Sequence, residues 1–322
     1  MVSVVMATYN GEKYLIQQMD SIRTQTKKPD EVIICDDCST DKTVWVVETY
    51  IAQYGLLNWK VIKNKKNLGY YNNFFQAVKI SRGQTIYLSD QDDIWDIHKI
   101  EKFEEFYDGH PEVTMIQSNM EFIDSDGIKI NSDYKYHGKK EKTGFVEIST
   151  KEMCKFAGSG YTMSFRRSVT DKIFHNRLEA YETIYLYHDI LIGLMSAALG
   201  KCYMCADVVD RHRLHSSNAT QAKGKSYISN RTRERQLSIL DRRKKEFDLV
   251  ANVIENKQMV EHFKRFSMFA KYRYELIKKK KIRNLLFLIK HLDLYSVKLG
   301  LVTDLLYSID ADNVLMKIYK WI

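Results

Sequence analysis

The first 90 or so residues alternate short apolar runs with amphipathic segments, and this alternation constrains the fold more than any other feature of the sequence. The runs are rich in β-branched side chains and nearly free of polar ones, which is typical of strands buried on both faces. Between them apolar residues recur at helical spacing, as Leu15, Met19 and Ile22 do. The runs are VSVVMA, EVIIC, WKVI and TIYLS. This β-α-β-α succession predicts an α/β fold with a central, mostly parallel sheet and helices on both faces.

A polar cluster follows each of the four runs. In chain order the clusters are TYN at Thr8–Asn10, DDCSTD at Asp36–Asp41, NLGYYNN at Asn67–Asn73 and SDQDD at Ser89–Asp93. Ligands of open parallel sheets bind beyond the carboxyl ends of the strands, where such clusters meet. We therefore expect all four clusters to converge on one edge of the sheet and to form a binding site there.

The fourth cluster places three carboxylates within four residues, at Asp90, Asp92 and Asp93. Hard carboxylate oxygens suit Mg²⁺ or Mn²⁺, which commonly shares its coordination shell with substrate phosphates. Without a cation, mutual repulsion would raise at least one of the three pKa values. The alternative is a solvated acidic turn that caps a helix starting near Trp95.

Three features stand out beyond Pro111. Two apolar runs flank Asp126 and Gly127, which predicts a tight turn between strands. The segment YHDILIGLMSAALG predicts a helix that begins at His188 or Asp189 and ends at Gly200. Two ordered polar motifs, GSGYTMSF and RHRLHSSN, lie on either side of that helix.

The charge is unevenly distributed along the chain. Residues 225–322 contain 22 Lys+Arg against 11 Asp+Glu, whereas the whole chain has a net charge of only +9. The sequence therefore predicts two domains, a near-neutral one at residues 1–224 and a basic α-helical region at residues 225–322.

The basic region leaves three alternatives open. Amphipathic basic helices can lie on an anionic membrane surface. They can also bind nucleic acid through its phosphates. Or they can form a helical subdomain with a solvated basic face. We prefer the membrane surface and expect no nucleic-acid partner, because the carboxylate edge would repel phosphates unless a metal bridged them.

No uncharged apolar stretch of about 18 residues is present, and the first residues resemble a buried strand more than a signal peptide. We therefore expect a cytoplasmic protein with reduced thiols. The close pairs Cys35/Cys38 and Cys202/Cys205 raise the possibility of a zinc site, but at least three of these cysteines fall in strand-like runs and are better explained as small hydrophobes.

Taken together and in order, TYNG, DDCSTD, NLG, SDQDDIW, GSGYTMSF, YHD and RHRLHSSN resemble the motifs of family 2 glycosyltransferases. The resemblance covers about residues 1–220. It implies a GT-A fold and inverting transfer from a nucleotide-sugar donor. The DQDDIW form most resembles the bacterial rhamnosyltransferase-like branch, which builds surface polysaccharides.

The resemblance implies donor-binding roles for residues of every cluster. Asp37 would accept the imide N–H of the base, while Asp36 would orient the loop and Asp90 would face the ribose or diphosphate. Arg213 would pair with a phosphate. The nucleotide-sugar-binding residues implied in this way are Thr8, Tyr9, Asn10, Asp37, Asn67, Gly69, Asn73, Asp90 and Arg213.

It also implies a metal site and a catalytic base. Asp92 and His215 would contact Mg²⁺ or Mn²⁺, and Asp93 would either assist them or cap a helix. His212 replaces the aromatic residue that the family often has. Asp189 would be the general base, although a carboxylate at a helix start is also a common N-cap.

Trp95 and Tyr161 are candidates for the acceptor side, where an aromatic ring can stack on a sugar. For Trp95, packing between a helix and the sheet is the competing explanation.

The function expected from these features is metal-dependent, inverting transfer of rhamnose or another hexose from a dTDP- or UDP-sugar. The acceptor would be a glycan, carried on a lipid diphosphate, in bacterial O-antigen or capsule synthesis. Such an enzyme would lie peripherally on the inner face of the cell membrane. The alternative from another class is a catalytically silent module that binds a sugar nucleotide or a protein partner.

Overall fold

A computed structural model describes residues 1–130, 143–155, 159–181, 187–215, 232–297 and 299–311. The described residues form two compact units. The first unit contains the described residues up to His215, except Cys154 and Lys155. The second unit contains these two residues and the described residues from 232 onward. The domain boundary expected at Gly224 lies outside the described residues and stays a prediction.

Four strands build the parallel part of the sheet in the first unit. They are β1 (Val2–Thr8), β2 (Glu31–Asp36), β3 (Trp59–Lys63) and β4 (Thr85–Ser89). Their spatial order is β3-β2-β1-β4, and all three pairings are parallel. The register sets Thr8 opposite Asp36 and Met6 opposite Ser89, so the strands end at one edge. The predicted parallel strands are confirmed.

Three helices connect these strands, namely α1 (Leu15–Arg23), α2 (Thr43–Tyr54) and α3 (Gly69–Ile80). The apolar face predicted for α1 is fully buried. Helix α2 ends at Gly55, whose positive φ of 61° is a left-handed conformation that glycine adopts without a steric penalty. The helices therefore follow the apolar spacing, and each connection returns the chain to the start of the next strand.

The rest of the sheet is mixed. Its strands are β5 (Ile94–Trp95), β6 (Val113–Ile123), β7 (Lys129–Ile130), β8 (Phe145–Ile148), β9 (Met163–Arg166) and β10 (Lys201–Arg213). The full order is β3-β2-β1-β4-β9-β6-β10-β5, with β7 on β6 and β8 on β10. Strand β10 is parallel to β6, whereas β9 is antiparallel to both of its neighbours. The α/β class is confirmed, and antiparallel pairs join the sheet after β4.

The turn predicted at Asp126 and Gly127 joins β6 to β7. Gly127 donates its N–H to the carbonyl of Asp124 at 3.1 Å and has a φ of 84°. Because L side chains rarely adopt this φ, glycine suits the position. The carbonyls of Asp124 and Ser125 in this turn accept hydrogen bonds from Arg213.

The first unit contains three more helices, α4 (Lys99–Gly109), α6 (Arg167–His175) and α7 (His188–Leu199). A fourth, α5 (Thr150–Lys155), belongs to it except for its last two residues. Helix α7 begins and ends where the sequence predicts. A buried ion pair links α4 to β10, with Lys99 Nζ 2.7 Å from Asp210 Oδ1. The ammonium also lies 4.0 Å from the ring centre of Trp95. Removing one partner of such a pair typically costs about 3–5 kcal/mol, since the other is left charged and buried.

The second unit is helical, as predicted for the basic region. Its helices are α8 (Arg233–Val253), α9 (Lys257–Lys279), α10 (Leu285–Lys290) and α11 (Gly300–Ser308). Thr232 and Asn256 cap α8 and α9 by accepting the backbone N–H of Arg235 and Met259. Its core includes Leu237, Leu240, Ala270, Ile277 and Tyr307. Within the described residues, no helix has both the length and the apolar character that crossing a bilayer requires.

Candidate active site

The first two polar clusters meet directly at the carboxyl ends of β1 and β2. Thr8 donates its hydroxyl to Asp36 at 3.0 Å, and the same carboxylate accepts the N–H and hydroxyl of Ser39. Asn10, with a φ of 48°, accepts the N–H of Thr40. Asp36 therefore orients the loop, the role that the resemblance implies for it, and Thr8 is buried beneath that loop.

Gln91 joins the fourth cluster to the first and was missed by the sequence analysis. Its amide accepts the N–H of Tyr9 at 2.9 Å and donates to the carbonyl of Tyr9 at 3.0 Å. A Cβ at Gly11 would lie only 2.1 Å from the Gln91 side chain, so a larger residue there would displace the Gln91 amide from Tyr9. The middle residue of Asp-Gln-Asp thus ties the acidic turn to the end of β1, while the Tyr9 ring remains half exposed.

Asp37 holds the third cluster against the second. Its carboxylate accepts the backbone N–H of Leu68 at 2.7 Å and of Gly69 at 2.8 Å, as well as the amide of Asn64. Asn67 donates its amide to the carbonyl of Asp37. The three residues predicted to bind the donor here, Asp37, Asn67 and Gly69, are brought together at the start of α3.

Asn73 lies beneath the loop that Asp37 holds. It is buried, donates to the carbonyl of Cys35 at 2.8 Å and accepts from Asn64 at 2.9 Å. Both ends of its amide are bonded within the protein, so Asn73 supports the loop, and its predicted contact with a donor stays a prediction. Gly69 adopts a φ of 78°, which explains the glycine of the NLG motif independently of any ligand contact.

Asp90, Asp92 and Asp93 form the centre of the edge. Each can offer an oxygen within 4.8 Å of the others. Burial, together with the charges of Asp93 and Asp92, raises the pKa of Asp90 well above its usual range. Burial and the charge of Asp93 also raise the pKa of Asp92, against the opposing effect of His215. Three carboxyl groups are therefore held close together in a poorly solvated place, which is unfavourable unless a cation binds there.

Asp93 does not cap a helix, which was one of the two roles expected for it, because His98 is the N-cap of α4. Helix α4 begins at Lys99, beyond the expected start near Trp95. Asp93 is instead buried, with Oδ1 2.8 Å from His212 Nδ1 and accepting the N–H of Arg213. Although burial acts to lower the pKa of His212, the Asp93 carboxylate raises it to about 9. The histidine that replaces the usual aromatic residue is thus a cationic partner of the acidic turn.

Arg213 connects the acidic turn to the turn between β6 and β7. Its guanidinium is fully buried and donates to the carbonyls of Asp92 (2.9 Å), Asp124 (3.0 Å) and Ser125 (3.1 Å). It also donates to the side chain of Gln17 at 2.5 Å. With its donors directed at these oxygens, Arg213 holds the acidic turn against the β6–β7 turn. A contact with a donor phosphate stays a prediction.

His215 lies where the metal-ligand prediction needs it. Its Nε2 is 2.8 Å from Asp92 Oδ2, and its ring packs 4.8 Å from that of Tyr14. Tyr14 also receives the Arg213 guanidinium at 4.7 Å from its ring centre. The structure therefore brings together Asp92 and His215, the two residues named as metal ligands. Whether they bind a cation stays a prediction.

Asp189 is in the first turn of α7 but is not its N-cap, a position that Tyr187 occupies. Its carboxylate accepts the N–H of Ile190 at 2.8 Å and that of Gly160 at 3.2 Å. Its charge also contributes to the raised pKa of Asp90. The motif around Gly160 and the YHD motif therefore reach the same edge as the acidic turn. Gly158, in the same motif, lies outside the described residues.

His188 is a second residue that the sequence analysis did not single out. It is only 7% exposed, stacks 4.2 Å from Phe74, and neither ring nitrogen has a hydrogen-bond partner among the described residues. Burial lowers its pKa to about 3. A Cβ at Gly160 would lie 2.8 Å from its Nε2. A neutral imidazole therefore sits beside the Asp189 carboxylate, a feature that only the YHD motif could have suggested.

The acceptor-side candidates differ in their surroundings. Trp95 is 3% exposed and packs against Tyr87 and Lys99, which favours the packing explanation over an acceptor contact. Tyr161 is half-buried, and its ring stacks on His212 with centroids 4.2 Å apart. Of the two candidates, only Tyr161 keeps exposed area near the carboxylate edge.

The donor set fits a divalent cation on the chemistry of its atoms. Three carboxylates and an imidazole provide oxygen and nitrogen ligands. Asp93 Oδ2 is a buried oxygen without a hydrogen-bond partner among the described residues. An uncompensated buried oxygen in an acidic cluster is the kind of atom that a bound cation would satisfy.

A model of Glycosyl transferase family 2 matches residues 3–174, more than half of the chain. The putative glycosyltransferase EpsE of Bacillus subtilis is 32% identical over 128 residues, which is 40% of this chain and 46% of EpsE. The poly(ribitol-phosphate) beta-N-acetylglucosaminyltransferase TarS of Staphylococcus aureus is 33% identical over 110 residues, 34% of this chain and 19% of TarS. The chain thus spans less than half the length of either relative.

Two solved structures share the fold. S. aureus TarS 1-349 in complex with UDP-GlcNAc has a TM-score of 0.65 at 18% identity, covering 99% of this chain and 91% of that one. The mannosyltransferase PcManGT from Pyrobaculum calidifontis, in complex with GDP-Man and Mn2+, has a TM-score of 0.52 at 14% identity, covering 97% and 86%. At these identities the likeness concerns the fold alone, and it confirms the predicted GT-A architecture.

Proposed function

This chain belongs to glycosyl transferase family 2, and on that premise we propose that it moves a sugar from a nucleotide-sugar donor to a glycan acceptor with inversion at the anomeric carbon. One observation carries the proposal. Asp90, Asp92 and Asp93 gather within 4.8 Å, and Asp189 is close enough for its charge to raise the pKa of Asp90. Four carboxylates at one edge fit a site that binds a cationic group and also removes a proton.

We propose a dTDP- or UDP-sugar as the donor, with rhamnose or another hexose as the transferred group. The complexes of TarS with UDP-GlcNAc and of PcManGT with GDP-Man support a nucleotide-sugar donor in this fold. The DQDDIW form supports the rhamnosyltransferase-like branch. The loops held by Asp36, Asp37 and Gln91 would surround the nucleotide, and their exposed side chains include Tyr9, Asn10 and Asn67.

Asp92 and His215 would hold Mg²⁺ or Mn²⁺, with Asp90 and Asp93 beside them. Such an ion supplies Lewis-acid stabilisation of the negative charge on a leaving diphosphate. PcManGT was solved with Mn2+, which supports this choice of ion. His212, paired with Asp93, fixes the turn that carries these ligands.

Asp189 would act as the general base. Its hydrogen bonds with the backbone N–H groups of Gly160 and Ile190 orient the carboxylate. The acceptor hydroxyl gives its proton to this carboxylate as its oxygen bonds to the anomeric carbon. The bond from that carbon to the nucleoside diphosphate breaks on the opposite face, which inverts the configuration. A buried neutral His188 next to it adds no competing positive charge.

The acceptor we propose is a glycan on a lipid diphosphate, as in the synthesis of O-antigen or capsule. An enzyme acting on it would work in the cytoplasm, peripherally on the inner face of the cell membrane. Tyr161, half-buried near the edge, is our candidate for an acceptor contact.

A screen of nucleotide sugars by thermal stabilisation, with and without Mn²⁺, tests this function. We expect one dTDP- or UDP-sugar to raise the melting temperature of the wild type in a Mn²⁺-dependent manner. Asp92→Ala should abolish that dependence, whereas Asp108→Ala, which removes an exposed carboxylate at the end of α4, should preserve it. If no sugar nucleotide stabilised the wild type at any Mn²⁺ concentration, the proposed function would be wrong.

The second candidate is a silent module that binds a sugar nucleotide without turnover. An assay distinguishes the silent module from an active enzyme. The donor that stabilises the protein is supplied together with lipid-diphosphate-linked glycans, and the release of nucleotide is measured. Binding without release over a broad acceptor panel would favour the silent module. The presence of Asp189 beside the acidic turn favours the enzyme, because binding alone does not need a base.

A further inference from the structure

One face of α10 exposes large apolar side chains to solvent. Leu286 is 72% exposed and Ile289 52%, while Leu288 on the opposite side is fully buried. Ile282, in the 3-10 turn Ile282–Asn284 that precedes α10, is 70% exposed. The three exposed residues are spaced at i, i+4 and i+7, so they form one row on a helical surface. A continuous apolar row of this kind marks a surface that contacts another apolar phase.

Positive charge borders the row. Arg283 and Lys290 are exposed and stand three residues before and four residues after Leu286. At 100° per residue, Lys290 on α10 lies about 40° from Leu286 on the side away from Ile289. Arg283 lies in the 3-10 turn directly before the helix. Neither has a salt bridge among the residues that the structure describes, whereas Lys280 and Lys281 next to them pair with Asp310 and Glu275. An apolar row with an uncompensated basic margin therefore faces solvent.

The end of α9 adds to this charge. Lys278 and Lys279 form its last turn and are exposed, so they too carry positive charge into the segment that leads to α10. No opposite charge within the described residues pairs with them. Four uncompensated cations thus occur within 13 residues of chain that also contain the whole apolar row.

We propose that this face of α10 rests on an anionic lipid bilayer, with Ile282, Leu286 and Ile289 in the headgroup–acyl boundary and Arg283 and Lys290 at the lipid phosphates. An anionic bilayer complements both the apolar row and the basic margin. Burial of the apolar side chains in lipid is favourable, and each cation near the surface is attracted to the anionic headgroups. The arrangement is independent of sugar transfer, although it would bring the protein to the lipid-linked acceptor proposed above.

Two other partners fit the face less well. Nucleic acid would use the cations but would leave the row of branched apolar side chains in water. A second copy in a two-fold contact would place the same patch on itself, setting Arg283 and Lys290 near their own counterparts. Only a membrane with negative charge complements both the apolar row and its basic margin.

Flotation of the full-length protein with phosphatidylcholine vesicles, with and without phosphatidylglycerol, tests the proposal. The wild type should float with the anionic vesicles. Leu286→Glu combined with Ile289→Glu should lower the partition coefficient at least about tenfold, because two apolar contacts are replaced by charges that the lipid repels. Leu57→Glu is the matched control, since Leu57 is 96% exposed but lies in the first unit, and it should float like the wild type.

The charges are tested separately. Arg283→Ser combined with Lys290→Ser should reduce binding to the anionic vesicles about twenty-fivefold, at about fivefold per cation. Lys27→Ser combined with Lys60→Ser, which removes two exposed lysines of the first unit, is the control and should have little effect. If the glutamate pair disturbs folding, as judged by circular dichroism, Leu286→Ser with Ile289→Ser replaces it.

Several results would overturn the proposal. One is that the glutamate variant floats as well as the wild type, and another is that Leu57→Glu loses as much flotation as the glutamate variant. A third is that the wild type sediments as a dimer and only the glutamate variant sediments as a monomer. Retained binding of a DNA duplex by the glutamate variant, with no flotation of the wild type, would assign the cations to nucleic acid. Mn²⁺-dependent donor stabilisation is measured without lipid, so its failure would count against the proposed function alone.

Discussion

The two units treat buried ionisable groups in opposite ways. At the carboxyl edge of the first unit, Asp90, Asp92 and Asp93 lie together with the same sign of charge, and His188 is buried without a hydrogen-bond partner among the described residues. In the second unit, buried charges meet opposite charges. Arg273 lies 2.6 Å from Asp304, and Glu246 lies 3.3 Å from both Arg242 and Arg243.

Within the described residues of the first unit, the crowding of like charges is confined to the carboxyl edge of the sheet. Elsewhere in the first unit the buried Lys99 and Asp210 pair as closely as the charges of the second unit do. Buried charges are stable when paired and costly when they are not. The three crowded carboxylates, which His212 compensates only in part, therefore mark where stability is given up for a ligand. The buried ion pairs elsewhere mark where charge only holds the fold. Four predictions test this contrast, in order of decreasing effect.

Asp189→Asn should reduce sugar transfer about a thousandfold, because a neutral amide cannot accept the acceptor proton and general bases contribute factors of about 10² to 10⁴. Donor binding, measured by thermal stabilisation with Mn²⁺, should stay unchanged. Asp171→Asn, which neutralises an exposed carboxylate of α6 in the same unit, is the control and should keep full activity. Transfer by Asp189→Asn within tenfold of wild type would remove Asp189 from the base role.

Asp304→Asn should destabilise the protein by about 3 kcal/mol in urea unfolding, because it leaves Arg273 buried without its counter-charge. Tyr295, which donates to Asp304 at 2.8 Å, would lose a charged acceptor as well. Asp293→Asn is the control, since its pair with Arg265 is exposed and should be worth less than about 1 kcal/mol. Equal effects of the two substitutions would contradict the contrast between buried and exposed pairs.

His188→Phe should remove part of the pH dependence of unfolding. The pKa of His188 is about 3 in the folded protein and about 6.5 when unfolded. Unfolded chains therefore bind a proton that folded chains do not, and stability is lost as the pH falls below 6.5. Between pH 7 and pH 5 the wild type should lose about 2 kcal/mol more than His188→Phe. Parallel stability curves for the two proteins would show that His188 is not held neutral.

Asp90→Asn should stabilise the protein by about 1 kcal/mol in the presence of a chelator, since it removes one of three crowded charges. The same substitution should remove the stabilisation that Mn²⁺ gives the wild type. Both are measured as melting temperatures with EDTA and with Mn²⁺. Destabilisation of the chelated protein by Asp90→Asn would show that the carboxylates are compensated within the chain and do not await a cation.

Much of the fold could be predicted because it follows from local pattern. The four apolar runs became β1 to β4, and the spacing of Leu15, Met19 and Ile22 gave the buried face of α1. The ends of α7 followed from a cap-like start and a final glycine. The antiparallel β9, inserted between β4 and β6, was not predicted, because its place depends on pairing with strands that are distant along the chain.

The site could be predicted only in part. Its composition followed from the clusters, since parallel strands bring their carboxyl ends to one edge. The partners of individual side chains did not, as Arg213 and Asn73 show. Both have the polar groups that suit a donor, and both use them on protein atoms. Whether such a side chain binds a ligand or bonds to other protein atoms depends on its burial. A short sequence motif does not predict burial.

The sequence by itself determined the order of strands and helices, the acidic turn after the fourth strand and the basic last third, because these depend on neighbours along the chain. Tertiary structure decided which charges are compensated. Asp93 meets His212 across 119 positions, and Gln91 meets Tyr9 across 82. Such contacts form only when the packed sheet brings distant segments together. The spacing of apolar residues along the sequence does not specify which polar side chains will be buried.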